Sequence, residues 1–231
     1  MVEKRMKYKV KKERINDALW ELHDFNINVA SREIFLHGWH NSEWNENLEP
    51  EVEYRMATKF IKNLAFLNNQ SDDNILIHQQ TCGGDWDHGM AIHDAIAASV
   101  APTTMLCYAH SRSMSSLTLQ AATTRVLMPD CFFMMHHGSA GGEDTVRGML
   151  TFAEQIAKDK SRMMEVYVWR CAGSEAFKDM SERQIENFLE KKLQLKQEWF
   201  MNAEEAVHYG FADGVFGDKG FDSIDKIRRK R

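Results

Sequence analysis

The sequence has few of the residues and patterns that mark specialised protein classes. It contains 3 prolines and 4 cysteines in 231 residues, and no two cysteines form a C-x-x-C pair. This pattern excludes a zinc ribbon and a C-x-x-C redox motif, and it favours reduced thiols in a cytoplasm. No apolar run approaches the roughly 18 residues of a membrane span, and the basic N-terminus lacks the apolar centre of a secretory signal. We therefore expect a cytoplasmic protein outside any membrane.

Positive charge is not in excess either. The sequence has 29 Lys and Arg residues against 34 Asp and Glu residues, which gives a net charge of -5. A negative balance argues against nucleic acid as the main partner. The basic residues cluster at the two ends, in residues 1–12 and 226–231, where charge runs are usually solvated tails. With 43% hydrophobic and 27% charged residues, the composition is that of a globular protein with a sizeable core.

Strand and helix patterns alternate between the two ends. Short apolar runs predict strands at 32–36, 74–78, 103–108, 125–128 and 132–136. Apolar residues at three- and four-residue steps predict a helix that begins after Pro50 and already includes Val52. Further helices are predicted at 90–96, 114–122, 144–170 and 203–209, the last with a capping box of Asn202 and Glu205. Strands separated by helices imply right-handed crossovers, so we expect an α/β fold with a largely parallel sheet.

Residues able to carry chemistry follow three of these strands. Gly83 and Gly84 come after the second strand, Ser113 after the third, and His136 ends the fifth. The carboxyl ends of parallel strands line one crevice, so these groups can converge there. A serine nucleophile needs a base, a group that orients the base, and backbone N–H groups for the oxyanion. Each residue alone has an ordinary structural explanation as an N-cap, a buried histidine or a turn, so only the set predicts catalysis.

Histidine is frequent, with 10 residues, and this raises the question of a metal site. Two pairs are close in sequence, His37 with His40 and His88 with His93. Neither pair is accompanied by the cysteines or carboxylates that complete a typical site. We therefore expect no metal and no other cofactor.

Five separated motifs resemble those of the Clp protease proteolytic subunit family. The run ILIHQQTCGGDWDHGMAIHDAI is similar to that family's strand, diglycine and following helix, and YAHSRSMSSL to its nucleophile turn. FFMMHHGSAGG is similar to the histidine strand, REIFLHG to the first strand, and EWFMNAEEAVHYGFADGV to the closing segment. The resemblance implies a Clp protease/crotonase-like α/β fold with a protruding helical handle. It spans about residues 31–217, which leaves a basic N-terminal extension at 1–30 and a basic C-terminal tail at 218–231.

The resemblance also implies roles for individual residues. Ser113 corresponds to the nucleophile and His136 to the general base that then protonates the leaving amine. The backbone N–H groups of Gly84 and Met114 correspond to the oxyanion hole. Glu198 stands where the family has the aspartate that orients the histidine. Alternatively, Glu198 is a surface carboxylate or a subunit-contact residue. The glycine-rich stretch after the histidine offers a backbone edge for substrate, so the predicted substrate-binding residues are Gly83, Gly138, Ser139, Gly141 and Gly142.

The sequence departs from the family pattern near the nucleophile. Ala109, Ser111 and Arg112 stand where the family has small residues, Cys82 replaces a proline before the diglycine, and His137-Gly138 replaces Gln-Pro. Arg112 could bind a substrate carboxylate, lower the pKa of the serine, or lie in a subunit contact, and the sequence does not choose among these. The interval between the histidine and the closing segment is also longer than in the family, with extra residues near 175–192.

The leading functional hypothesis is a serine endopeptidase enclosed in a ring of identical subunits. The resemblance implies a heptamer or a double heptamer, protein or peptide substrates, and an AAA+ unfoldase as a possible partner. It also makes a phage or prophage head-maturation type conceivable. The alternative is a catalytically inactive subunit that acts as a scaffold or regulator, which the replacements at Arg112 and Glu198 favour. A third hypothesis is a crotonase-type acyl-CoA enzyme, which also uses two backbone N–H groups as an oxyanion hole.

Overall fold

The computed structural model describes residues 12–37, 49 and 51–229. Most of the basic N-terminal stretch therefore lies outside the described residues, as do Pro50 and His40. Within the described part the chain forms eight helices: α1 (Lys12–Asp24), α2 (Tyr54–Asn68), α3 (Trp86–Ala97), α4 (Met114–Leu119), α5 (Val146–Cys171), α6 (Glu182–Lys196), α7 (Ala203–His208) and α8 (Ile224–Arg228).

Nine strands in the described residues form two sheets. The strands are β1 (Ile27–Asn28), β2 (Glu33–His37), β3 (Ile75–Gln80), β4 (Thr103–Cys107), β5 (His110–Arg112), β6 (Thr124–Leu127), β7 (Phe132–His136), β8 (Glu198–Met201) and β9 (Gly214–Val215). The larger sheet has the order β1-β2-β3-β4-β6-β9 and is parallel except for β1. The smaller sheet joins β5 and β7 in parallel and β7 and β8 antiparallel. The predicted α/β fold with a largely parallel sheet is confirmed.

The central strands of the larger sheet are buried on both faces, as a parallel sheet between helices requires. One face packs on α2 and α3 within the main core, which includes Ile75 and Ile77 of β3. In α2 the buried residues repeat at helical steps: Met56, Phe60, Leu64 and Leu67. The other face of the sheet carries a separate apolar cluster of Leu76, Leu106, Val126 and Ile227.

The C-terminal segment corrects one expectation. The described basic residues 226–229 are not a solvated tail, because α8 packs on the second face of the sheet with Ile227 fully buried. Arg228 forms an ion pair with the buried Glu33 of β2, and Asn74 donates to the Arg228 carbonyl at 2.9 Å. Apolar residues among the charges explain the difference, since Phe221 and Ile224 add to the same cluster. The basic residues of 226–231 dominate the sequence pattern, so the apolar face was not predicted.

Other differences lie at element ends and in short strands. Val52 is not helical but pairs with Gly84 in an isolated parallel bridge. The helix begins later because the Glu53 side chain caps it, accepting from the backbone N–H groups of Arg55 and Met56. Strands β5 and β8 were not predicted, since each has only three or four residues. The long helix predicted at 144–170 is found as α5, and its residues 149–155 are all exposed, which suits a projecting handle.

Metal-ligand groups and membrane-spanning helices are both absent from the described residues. These residues contain no group of three or more His, Cys, Asp or Glu side chains placed to hold a metal ion. None of the helices in this part of the chain combines the length and apolar character needed to cross a bilayer. Cys82, Cys107, Cys131 and Cys171 are all buried and form no disulfide bond.

The packing of α8 makes a prediction for stability. Ile227→Ala should lower the free energy of unfolding by about 2–5 kcal/mol, because it removes a fully buried side chain and leaves a cavity. Chemical denaturation followed by circular dichroism measures this. Leu195→Ala is the control, since Leu195 is 73% exposed and should change stability by no more than about 0.5 kcal/mol. Equal stability of the Ile227 variant and the wild type would mean that α8 is detached in solution.

Candidate active site

Ser113 lies at a sharp turn between β5 and α4. Its backbone has φ 53° and ψ -132°, a conformation that costs about 1–3 kcal/mol for a residue with a side chain. The turn is held because the Ser113 N–H donates to the Met134 carbonyl of β7 at 3.1 Å. A serine forced into a strained strand-to-helix turn is the geometry that exposes a hydroxyl above a sheet.

A buried polar network fixes the turn from below. The Ser115 hydroxyl accepts from the Arg112 N–H at 2.9 Å and donates to the Arg112 carbonyl at 2.7 Å. Gln79 donates to the Ser115 carbonyl at 3.0 Å, and the Thr118 hydroxyl donates to the Gln79 side chain at 2.8 Å. Gln79, Ser115 and Thr118 are fully buried. These supporting residues were not predicted from the sequence, although a polar Gln inside an apolar strand was a signal for them.

His136 ends β7 and meets Ser113. Its Nε2 lies 2.8 Å from the Ser113 Oγ, a hydrogen-bond distance. Burial lowers the pKa of His136, the Glu198 carboxylate raises it, and His137 and Arg112 lower it further. The net pKa lies below the ordinary value of 6.5, so the ring is neutral at pH 7 and can accept a proton.

Glu198 is the first residue of β8 and the direct cross-strand partner of His136. Its Oε1 lies 4.0 Å from the His136 Nδ1, which is an ion-pair distance and too long for a hydrogen bond. The Glu198 side chain is 50% exposed. The three predicted residues are therefore brought together, with a short contact between serine and histidine and a loose one between histidine and glutamate.

The diglycine loop lies against the serine turn. Gly83 has φ +100° and Gly84 has φ +144°, both in the region that favours glycine. A Cβ on Gly83 would lie 2.8 Å from the Met114 N and from the Ser113 Cβ. Met114 is the first residue of α4, where backbone N–H groups have no acceptor within the helix. Within the described part of the chain, neither the Gly84 N–H nor the Met114 N–H has a hydrogen-bond acceptor.

A cleft of about 640 Å³ opens beside these groups. Gly84, Ser113, Met114 and His136 line it, and so do Gly138, Ser139 and Gly141 from the stretch after β7. Among the predicted substrate-binding residues, Gly142 does not line the cleft, and Gly83 is buried beneath the serine turn. An apolar wall of the cleft was not predicted from the sequence. Its members Phe152, Ile156, Met163 and Tyr167 repeat at helical steps along α5, and Leu117 of α4 joins them.

Comparisons with known proteins identify the family of this chain. The family model of Clp protease matches residues 43–219, well over half of the chain. The chain belongs to the Clp protease family. It is 26% identical over 183 residues to an ATP-dependent Clp protease proteolytic subunit of Deinococcus radiodurans, covering 78% of this chain and 79% of that protein. A protein of the same description from Leuconostoc citreum is 26% identical over 178 residues, covering 75% of this chain and 82% of the relative.

Among solved structures, a ClpP1 mutant from Listeria monocytogenes has the same fold, with a TM-score of 0.66 at 18% identity. The match covers 86% of this chain and 96% of that one. These findings confirm the predicted family and fold, including the Clp-type arrangement of the sheet. They also identify the chain as a member of a family of hydrolases that carry out proteolysis, and they support a serine peptidase activity in general.

His137 occupies a different environment from the neighbouring His136 of this Clp protease family member. Its Nε2 lies 3.3 Å from the Glu190 Oε2, and the Lys160 Nζ lies 3.1 Å from the Glu190 Oε1. Burial lowers the pKa of His137, and Lys160 lowers it further. Because successive residues of a strand point to opposite sides, only His136 reaches the serine. The pairing of His137 instead ties the end of β7 to α5 and α6.

The close approach of Gly83 makes a prediction for the reactivity of the serine. Gly83→Ala should slow labelling of Ser113 by a fluorophosphonate about tenfold to a hundredfold, because the new methyl group must push apart the turn and the loop. Gly217→Ala is a matched control, since Gly217 has a similar φ of +109° but no atom within 4 Å of the added Cβ. If both variants label at the wild-type rate, the loop does not hold the serine turn.

Proposed function

We propose that this chain is a serine endopeptidase that cleaves peptide bonds through an acyl-enzyme. One observation carries the proposal: the Ser113 Oγ lies 2.8 Å from the Nε2 of a neutral His136, at a strained turn that opens into a cleft. A hydroxyl and a neutral imidazole at this distance are the parts that nucleophilic acyl transfer needs. The family membership supports the same chemistry.

The proposed reaction has two halves. His136 takes the proton of Ser113 as the hydroxyl oxygen attacks the peptide carbonyl carbon. The oxyanion that forms accepts hydrogen bonds from the N–H groups of Gly84 and Met114, with the N-terminus of α4 adding a favourable dipole. His136 then gives its proton to the leaving amine, and the C–N bond breaks. A water molecule, deprotonated by the same imidazole, hydrolyses the ester and restores the serine.

Glu198 would orient the histidine in this reaction. The 4.0 Å distance to the His136 Nδ1 has to shorten by roughly 1 Å for a hydrogen bond, which a half-exposed glutamate can do by side-chain rotation. Such tightening on substrate binding is common in catalytic sites. The carboxylate then holds the imidazole in the tautomer that accepts at Nε2 and stabilises the imidazolium.

Substrate would bind as an extended strand beside the exposed stretch after β7. Gly138, Ser139, Gly141 and Gly142 are all exposed, and Gly138 and Gly141 have open space around them, so a peptide backbone can approach. The apolar wall from α4 and α5 would receive the side chain next to the cleaved bond. Gly83 contributes by holding the serine turn and not by touching substrate.

Assembly into rings is part of the proposal. The two relatives from Deinococcus and Leuconostoc are described as proteolytic subunits of ATP-dependent proteases. By analogy, this chain would form a heptamer or double heptamer in the cytoplasm and receive protein substrates from an AAA+ unfoldase. Exposed apolar side chains support association, because they lie four residues apart on one face of a helix: Ile15 and Leu19 on α1, and Val146 and Leu150 on α5. Contiguous exposed apolar patches are typical of protein contacts.

Labelling with a fluorophosphonate tests the nucleophile. The wild-type protein should be labelled and should cleave an unfolded protein, while Ser113→Ala should do neither. Ser116→Ala, which removes a serine of the adjoining helix α4, is the control and should still be labelled. The Ser116 hydroxyl is bonded to the Ser113 carbonyl at 2.6 Å and to Tyr167, so it is not available as a nucleophile. Failure of the assembled wild-type protein to react would favour the inactive scaffold or regulator.

The pH dependence tests Glu198. Because the carboxylate raises the pKa of His136, Glu198→Gln should lower that pKa. The imidazole then stays neutral to lower pH, so the acidic limb of the kcat/KM profile should move to lower pH while the plateau falls roughly 10- to 10⁴-fold. Glu204→Gln, which changes an exposed carboxylate on α7, should alter neither. An unchanged profile in the Glu198 variant would make that residue a surface carboxylate.

A further inference from the structure

Arg112, the unusual residue beside the serine, belongs to a three-residue ionic cluster. Its Nη2 lies 2.8 Å from the Glu49 Oε2, and the other carboxylate oxygen of Glu49 lies 2.6 Å from the His110 Nε2. His110 and Arg112 are alternate residues of β5, the strand that leads into the serine turn. Glu49 is 63 positions away in sequence from Arg112. The cluster therefore ties a remote segment to the nucleophile strand.

The same remote segment also holds the diglycine loop. Val52 donates its N–H to the Gly83 carbonyl at 2.6 Å and accepts from the Asp85 N–H at 3.0 Å. One residue further on, Glu53 caps α2. Glu49 thus contacts the serine strand, Val52 holds the diglycine loop, and Glu53 caps the helix that follows.

The side chains of this cluster are largely shielded from solvent. The side chains of His110, Glu49 and Arg112 are only 10%, 23% and 26% exposed, so solvent screens the charges less than at an open surface. Burial lowers the pKa of His110, the Glu49 carboxylate raises it and Arg112 lowers it, with a net pKa below the ordinary value of 6.5. Arg112 does not line the cleft, which argues against a contact with a substrate carboxylate.

We propose that Glu49, His110 and Arg112 form a positioning cluster that sets the distance between the diglycine loop and Ser113, and with it the geometry of the oxyanion hole. These residues act through the backbone and do not touch the reacting atoms. The inference rests on the proposed function, because it assigns the Gly84 and Met114 N–H groups to the oxyanion. A displacement of about 1 Å between such donors and a nucleophile can cost about a hundredfold in rate.

The test compares Glu49→Gln with the wild type in two measurements. The variant keeps the side-chain size but loses the charge that holds Arg112. For a short peptide substrate, kcat should fall tenfold or more while KM changes less than threefold, because the oxyanion forms only in the transition state. In hydrogen-exchange mass spectrometry, peptides that contain the Val52 and Asp85 amides should exchange faster, whether or not the protein is active.

Two further variants separate positioning from general weakening of the fold. Glu175→Gln makes the same change at an exposed Glu–His pair, since Glu175 lies 3.2 Å from His208, and it should alter neither measurement. Arg112→Gln should reproduce the loss in kcat and Arg112→Lys should recover part of it. The double variant with Glu49→Gln and Arg112→Gln should be no slower than the worse single variant, because both changes break one unit.

The outcomes distinguish this inference from the proposed function. Wild-type kcat together with wild-type exchange in the Glu49 variant would overturn the cluster and leave the peptidase intact. An inactive wild-type protein would overturn the proposed peptidase activity. If the Val52 and Asp85 amides of the Glu49 variant then also exchange at the wild-type rate, the link between the cluster and the diglycine loop is overturned as well. If Glu49→Gln does not fold, Arg112→Lys is measured in its place, and wild-type kcat and exchange in that variant would equally overturn the cluster.

Discussion

The site depends on the parallel pairing of two short strands. In the smaller sheet Arg112 of β5 is in register with Met134 of β7, so the residues that follow them, Ser113 and His136, reach the same end. The Ser113 N–H then donates to the Met134 carbonyl, and the hydroxyl faces the imidazole. Because the contact arises from backbone pairing, it is present before any substrate binds. Such a prepared geometry is what acyl transfer requires.

A strained turn persists only where its surroundings over-determine it. Here the support is polar and buried, and it comes from Gln79, Ser115 and Thr118 beneath the turn. Buried polar groups are costly unless each is satisfied, so a network of this kind specifies one arrangement. The diglycine loop can lie close against the serine turn because Gly83 has no side chain, and a side chain there would collide with the turn. Rigid support below and an open cleft above are compatible with a hydroxyl that reacts while its backbone stays fixed.

The fold was predictable where local patterns were long and regular. Helices α2 and α5 and strands β3, β4 and β7 follow from apolar spacing, and the parallel sheet follows from their alternation. Strands β5 and β8 were missed because three or four residues show no periodicity of their own. The C-terminal helix was misread because residues 226–231, KIRRKR, contain five basic residues and only one apolar residue, Ile227. These strands and this helix form because of their contacts with the rest of the fold, and not because of the conformational preferences of their own residues.

The amino-acid sequence is enough to identify the candidates for chemistry, because a diglycine and a serine follow strands, a histidine ends a strand, and parallel strands share one edge. It also named Glu198 as the third candidate through resemblance. How these groups meet depends on the tertiary structure. The serine and histidine are within hydrogen-bond distance, while Glu198 is the cross-strand partner of His136, with its Oε1 4.0 Å from the His136 Nδ1, roughly 1 Å too far for a hydrogen bond. The tertiary structure alone shows that Arg112 pairs with Glu49. Contacts between remote segments depend on how strands and loops pack, so the spacing of residues along the sequence does not reveal them.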